Sequence, residues 1–362
     1  MSVVNLGLML EDLEELVVCE SFSADHEAVA RSATVVADQG AGRLGARPET
    51  IVIDGVSHLR WTFGAPRVLL VGHHDTVWPI GSLREHPWSL EDGIARGPGV
   101  FDMKAGLVQT FHALAALPSL EGVCVLVTGD EELGSPSSRA LIEDSARGCA
   151  AAFVLEAAAD GGALKTARKG ISTYQVTVRG RAAHAGLEPQ AGANAGMELA
   201  HQILALAAMG EGDTTVTPTV LSGGSTINTV PALASVAVDV RVPSLKEQKR
   251  VDELVRGLSP RLAGTRLLVS GGPNRPPLEE ASSARLFALA RRIAEELGMP
   301  PLRGVAVGGA SDGNLTAGVG CPTLDGLGAV GGGAHAAHEH TLVAEMPGRT
   351  RLLAELVRTV LG

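Results

Sequence analysis

Aromatic side chains are scarce, at 3% of a 362-residue chain, which argues against recognition by extended stacking on a large flat ring. Cysteine is sparse as well. Cys19, Cys124, Cys149 and Cys321 stand far apart with no Cys-x-x-Cys pair, so nothing suggests a thiolate metal site or a redox dithiol, and buried free thiols are expected. Charged residues reach only 19%, the formal charge is -10, and lysine and arginine are scattered. That balance argues against a nucleic-acid or anionic-membrane partner, because both reward clustered positive charge. No apolar run approaches the ~20 residues of a membrane span. The segment Met1 to Leu13 contains Glu11 and Asp12 and lacks a basic leader or small-residue cleavage signal, so a cytoplasmic location is expected.

What the chain has is apolar mass and glycine. Hydrophobic residues make up 45%, glycines number 45, and the mean hydropathy is +0.19. At this length two domains are the default, and the composition suits a compact α/β protein with many tight turns. Leu6 to Ala37 carries helical spacing interrupted at Ser21 to Asp25, predicting two helices. Arg60 to Phe63 and Arg67 to Val71 read as strands, followed by a long loop. Helices are predicted over Ala105 to Leu117 and Ser137 to Ala146, with buried strands at Val123 to Thr128 and Ala152 to Leu155.

Each of the apolar strands runs into chemistry. The first leads to His73, His74 and Asp75, the second to Asp130, Glu131 and Glu132, and the third to Glu156. Asp102 stands on a loop just before a helix. Open α/β sheets place ligands beyond the carboxyl ends of their strands, so these groups are expected to converge on one sheet edge. Read singly, each has an ordinary alternative: a loop histidine, an N-cap aspartate, a solvated acidic loop. Adjacent acids raise one another's pKa unless cations compensate them.

After Gly170 the texture changes to alternation, with strands at 171–179, Thr215 to Leu221 and Leu233 to Val242. Helices are predicted near Gly192 to Met209 and over Leu245 to Leu258. This reads as a small inserted domain. A helix near Ser282 to Leu297 restores the first texture, followed by a glycine-rich stretch with His335, His338, Glu339 and His340, and a final helix from Glu345 to Leu361.

In order along most of the chain, the motifs are Gly72-His73-His74-Asp75-Thr76-Val77, Gly97-Pro98-Gly99-Val100-Phe101-Asp102-Met103-Lys104, Asp130-Glu131-Glu132-Leu133-Gly134-Ser135, Glu156, Ala183-His184-Ala185, Gly309-Ala310-Ser311-Asp312-Gly313-Asn314 and Ala334-His335. Together they resemble the co-catalytic zinc carboxypeptidase and aminoacylase family, which includes glutamate carboxypeptidases, acetylornithine deacetylases and succinyl-diaminopimelate desuccinylases. The resemblance implies a mixed-sheet α/β catalytic domain, residues 1–168 and 279–362, with an inserted α+β dimerisation or lid domain over 169–278. It implies two divalent ions, zinc first and cobalt or manganese as alternatives. Asp102 would bridge them, with His73 and Glu156 completing one site and Glu132 and His335 the other. Asp75 would orient His73, and Glu131 would be the general base.

The same resemblance implies amide hydrolysis, a homodimer, and His184 reaching across the dimer to the oxyanion. Asn228 and Arg241 match positions that bind a substrate carboxylate; for Arg241 a plain strand charge stays open. Lys165, Arg168, Lys169 and Arg275 are further candidate partners, each otherwise a surface charge, and alternation turns His74 away from the cluster. Glutamate rather than aspartate at 156 points to a substrate with a free carboxylate. The expected reaction is release of a C-terminal amino acid, glutamate foremost, from a small peptide or N-acyl amino acid. A biosynthetic deacetylase or desuccinylase is the close alternative, and a non-catalytic binding protein on the same fold the distant one.

Overall fold

A computed structural model describes residues 4–362; the first three residues of the expected catalytic segment lie outside the described residues. The chain opens with α1 (Leu6–Val18) and α2 (His26–Leu44), each started by a side chain accepting from a first-turn amide, Asn5 from Leu8 and Asp25 from Ala28. The second helix runs past its expected end at Ala37, because its last turns pack Gly40 flat against Trp61 where an added Cβ would collide with the indole. There follow β1 (Glu49–Ile53), β2 (Val56–Phe63), β3 (Val68–His73), β4 (Ser89–Glu91), β5 (Ile94–Arg96), α3 (Ala105–Ala115), β6 (Val123–Thr128), α4 (Arg139–Ala146), β7 (Ala151–Val154) and β8 (Leu164–Arg168). Asp54-Gly55 and Asp92-Gly93 turn the two hairpins with φ of 51°, 84°, 51° and 76°, the left-handed pair that tight hairpins need. The long loop after β3 therefore holds a hairpin.

The chain continues through β9 (Gly170–Arg179), α5 (Ala195–Ala207), β10 (Thr215–Gly223), β11 (Leu233–Val242), α6 (Leu245–Arg256) and β12 (Arg266–Arg275). It closes with α7 (Glu280–Glu296), β13 (Gly304–Val307), α8 (Asp312–Gly318), β14 (Thr323–Leu324), β15 (Gly331–Gly332), β16 (His340–Leu342) and α9 (Met346–Leu361). Two compact units result. One comprises Met1–Ala167, Leu278–Val307 and Ser311–Gly362; the other comprises Arg168–Pro277 with Gly308–Ala310.

The first unit is built on a mixed sheet ordered β1-β2-β6-β3-β7-β14, in which β6, β3, β7 and β14 run parallel. Its central strands β3, β6 and β7 are buried throughout. Their two faces feed separate cores, as a side-chain period of two requires. Val68, Leu70, Val123, Val125 and Phe153 pack with residues of α1, α2, α3, α7 and α9. Leu69, Val71, Cys124, Leu126 and Ala152 pack with Ile142 of α4 and Leu315 of α8, and Cys149 and Cys321 join them as free thiols. Covered on both faces, such strands read as continuous apolar runs.

The second unit is an antiparallel sheet ordered β10-β11-β9-β12. Tyr174, Val176 and Val178 of β9 and Val236, Val238 and Val240 of β11 alternate into a core shared with α5 and α6. The strand β12 shows no clean alternation in sequence because Gly271-Gly272-Pro273 occupies its second half.

Candidate metal centre and catalytic residues

The parallel strands β3, β6 and β7 end at one edge, with His73 opposite Thr128 and Val71 opposite Val154. The residues that follow them meet there. His73 Nε2 lies 3.4 Å from Asp102 Oδ1 and 3.5 Å from Glu156 Oε1. His335 Nε2 lies 3.5 Å from Asp102 Oδ2 and 3.2 Å from Glu132 Oε2. Asp102 thus presents one oxygen to each imidazole. Ligand atoms of His73, Glu131 and Glu156 fall within 4.8 Å of one another, as do those of His73, Asp102 and Glu132.

Asp102 is no helix cap. The start of α3 has no side-chain cap, Asp102 itself has φ -116° and ψ 93°, and its carboxylate turns to the histidines. His335 sits at φ 62°, in the left-handed region that costs a side chain energy and that surrounding contacts must maintain. Asp75 is fully buried and accepts from Ser23 Oγ at 2.7 Å and from the amides of Glu131 and Glu132 at 3.2 Å each. His73 Nδ1 lies 3.0 Å from the Asp75 carbonyl and 3.5 Å from its carboxylate. The Asp75 carboxylate therefore orders the acidic loop as well as the imidazole. Next to that loop, Asp130 accepts from the amides and hydroxyls of Ser137 and Ser138 at 2.5–3.2 Å. Nothing in the sequence beyond Ser137-Ser138 seven residues later marks this anchor.

Five carboxylates crowd the cluster, and its electrostatics follow from them. Burial disfavours a charged His73, yet Asp102, Asp75 and Glu156 together raise its pKa well above the ordinary value. His335 is pushed up to about 10 by Asp102 and Glu132. Burial raises Glu132, while Asp102, despite its burial, is held low by His335 and His73. The site demands positive charge. His73 Nε2 and Glu132 Oε1 are buried with no hydrogen-bond partner among the described residues, and two imidazoles plus carboxylates form a donor set suited to zinc. The residues present therefore fit a divalent cation.

His74 lies outside the cluster. Its Nε2 is 3.1 Å from the Ser57 carbonyl, and burial lowers its pKa to about 4. His338 is exposed, and its carbonyl lies 3.0 Å from His340 Nδ1. Lys165 Nζ stands 4.0 Å from Glu156 Oε2. The alternative of a surface charge fails for Arg168 and Arg275, which are 4% and 3% exposed; Arg168 donates to the carbonyls of Gly309 and Ala310.

His184, Asn228, Arg241 and Arg275 belong to the second unit. His184 accepts at Nδ1 from the amides of Gly186 and Leu187, at 3.1 and 3.2 Å, which places its proton on the exposed Nε2. The Ala185 amide donates to the Asn228 carbonyl at 2.8 Å, so these two loops are neighbours. The Arg241 fork is engaged by Asp239 at 2.9 and 3.1 Å. Arg241 and Arg275 both pair with Ile171 near the start of β9, whereas His184 and Asn228 follow or precede residues at its far end, Arg179 and Leu233. Ile171 and Arg179 are eight residues apart along β9, roughly 26 Å at the usual rise.

The sequence is 27% identical over 377 residues to carboxypeptidase G2 of Pseudomonas sp. (strain RS-16), covering 96% of this chain and 88% of that protein. It is 28% identical over 327 residues to succinyl-diaminopimelate desuccinylase of Acidiphilium cryptum (strain JF-5), covering 82% and 83%. The crystal structure of aminopeptidase PepT from Bacillus cereus ATCC 10987 shares the fold, with a TM-score of 0.77 at 22% identity over 99% of this chain and 100% of that one. Residues 69–359 match the model of Peptidase family M20/M25/M40. With that match added to a strand-edge cluster of imidazoles and carboxylates, the chain belongs to peptidase family M20/M25/M40 and is a metallohydrolase acting on amide bonds.

Proposed function

We propose that this protein is a carboxypeptidase-like hydrolase that releases a C-terminal amino acid, glutamate-type foremost, from a small peptide or N-acyl amino acid. The observation that carries the reading is Asp102, one oxygen toward His73 and the other toward His335. His73 and Glu156 would hold one ion, Glu132 and His335 the second, and Asp102 both. Two divalent ions, zinc by the donor set and cobalt or manganese as alternatives, would polarise the scissile carbonyl and acidify the attacking water. Glu131 takes the proton from that water and returns it to the departing amine. Its main chain is fixed for this by Asp75.

His184, with its proton on Nε2, donates to the developing oxyanion. Asn228, Arg241 and Arg275 recognise the carboxylate end of the substrate, where a guanidinium fork suits two oxygens. His184 and Asn228 stand too far from Arg241 and Arg275 for one copy to place all four on one small substrate. This separation supports a homodimer in which the two ends come from different copies. So does the free edge of β10, where Val220 and Leu221 are 69% and 60% exposed beside Met197 and Leu204 of α5 at 56% and 71%. Such an edge invites pairing.

A deacetylase or desuccinylase reading is supported by the similarity to a succinyl-diaminopimelate desuccinylase and uses the same centre. The test is a mass-spectrometric screen of zinc-loaded protein against N-acetyl, N-succinyl and N-aroyl amino acids and short peptides, scored for the freed amine. Cleavage confined to acyl-glutamates or C-terminal glutamyl peptides is expected; deacetylation of diverse amino acids would move the protein to the second reading. Glu131→Gln should lower turnover by about 10²–10⁴-fold, the usual share of a general base, while retaining both ions by elemental analysis. Turnover at the wild-type rate would remove Glu131 from that role.

A further inference from the structure

Glu339 has no part in the chemistry just described, yet its carboxylate is 3% exposed and takes four hydrogen bonds. Oε1 accepts from the amides of Phe101 at 2.9 Å and Asp102 at 3.0 Å. Oε2 accepts from the Gly99 amide at 3.0 Å and from Trp78 Nε1 at 2.7 Å. One of these donors is the main chain of Asp102 itself. At its other end, the Glu339 amide donates to the Ala336 carbonyl and the Ala336 amide to the Gly333 carbonyl, each at 2.9 Å, closing the turn that contains His335. The imidazole on that turn is half exposed and in the left-handed region, so its position depends on the turn.

We infer that Glu339 is a positioning residue of the metal centre, a buried clamp that ties the loop carrying Asp102 to the turn carrying His335. The clamp needs both oxygens of a carboxylate. All four partners are N–H donors, and a carboxamide would set its own NH₂ against two of them and leave buried amides without an acceptor. His73 is delivered by the buried strand β3, and the Glu132 amide is held by Asp75. Loss of the clamp should therefore fall hardest on the ion shared by Asp102, Glu132 and His335.

The inference rests on the two-ion reading, and the test separates them. Zinc is titrated into metal-free wild type, Glu339→Gln and Glu339→Asp in competition with a chromophoric chelator, with thermal unfolding followed in parallel. Wild type should take up two equivalents; failure to do so sinks the two-ion reading and the clamp with it. Glu339→Gln should bind its weaker equivalent about 10–100-fold less tightly, the usual penalty for losing a group that orients a ligand, with KM unchanged at saturating zinc. Glu339→Asp keeps the charge on a shorter arm and should fall between, which also covers the case in which the carboxamide does not fold. If a folded variant shows a lowered Tm but wild-type zinc affinity, Glu339 is only structural and the inference is overturned.

Discussion

Two histidines that are neighbours in sequence have opposite environments. His73 faces carboxylates and gains proton affinity; His74 faces the back of the strand, where Ser57 offers one carbonyl and burial holds the ring neutral. That difference gives a pH prediction. An unfolded chain protonates this histidine as pH falls through 6.5, whereas the folded one does so only near 4. The unfolded state binds more protons across that window, so stability is full above pH 6.5 and is lost as pH falls toward 4, by roughly 3 kcal/mol in all. His74→Gln keeps a donor toward Ser57 and stays neutral. Between pH 7 and 4.5, metal-free variant should lose roughly 2 kcal/mol less than metal-free wild type in urea unfolding. Equal losses would mean that His74 does not stay neutral in the fold.

At the scale of elements, the centre is set by how closely α3 approaches the end of β7. Gly106 on the first turn of α3 lies against the Leu155 carbonyl, and an added Cβ would fall inside contact distance of that oxygen. The oxygen is backbone and cannot rotate away, so Gly106→Ala should push the helix from the strand that delivers Glu156. Overpacking of this kind costs about 1–3 kcal/mol. Thermal unfolding should show the loss, and zinc affinity should fall with it, since Asp102 and Glu156 flank the displaced contact. A variant as stable as wild type would show that α3 can shift without consequence. The hairpin β4–β5 has a similar role: Arg96 of β5 pairs with His340 of β16, which ties the loop before Asp102 to the segment after His335.

For the whole molecule, the proposed dimer makes a quantitative prediction. If His184 serves the partner's centre, Glu131→Gln and His184→Ala are each inactive alone but complementary when mixed, because one site in each mixed dimer has both groups. Random reassortment of equal amounts puts half the dimers in the mixed form with one working site of two, about a quarter of wild-type turnover by that count. Activity that stays at the level of the separate variants after exchange would assign His184 to its own copy or to no role. Leu204→Glu on α5 should shift the protein toward monomer in sedimentation, with turnover falling in parallel.

Much of this was readable in one dimension, for definite reasons. Buried parallel strands are apolar on both faces, so β3, β6 and β7 stand out as runs, and the residues after them had to meet at one edge because parallel strands end together. His73, Glu131, Glu132 and Glu156 follow from that alone; the resemblance added the roles. The helix α2 beyond Ala37, both Asp-Gly hairpins and β12 escaped notice, because glycine-rich or short segments carry no periodicity and their pairing is decided by partners far away in the chain. Only the tertiary structure decided that Asp102 faces two histidines rather than a helix start, that Arg168 and Arg275 are buried, and that Asp130 accepts from Ser137 and Ser138 and Glu339 from the loop around Asp102. A carboxylate's role depends on which donors surround it, and those donors, the Asp102 amide and the Trp78 indole among them, come from residues more than two hundred positions from Glu339.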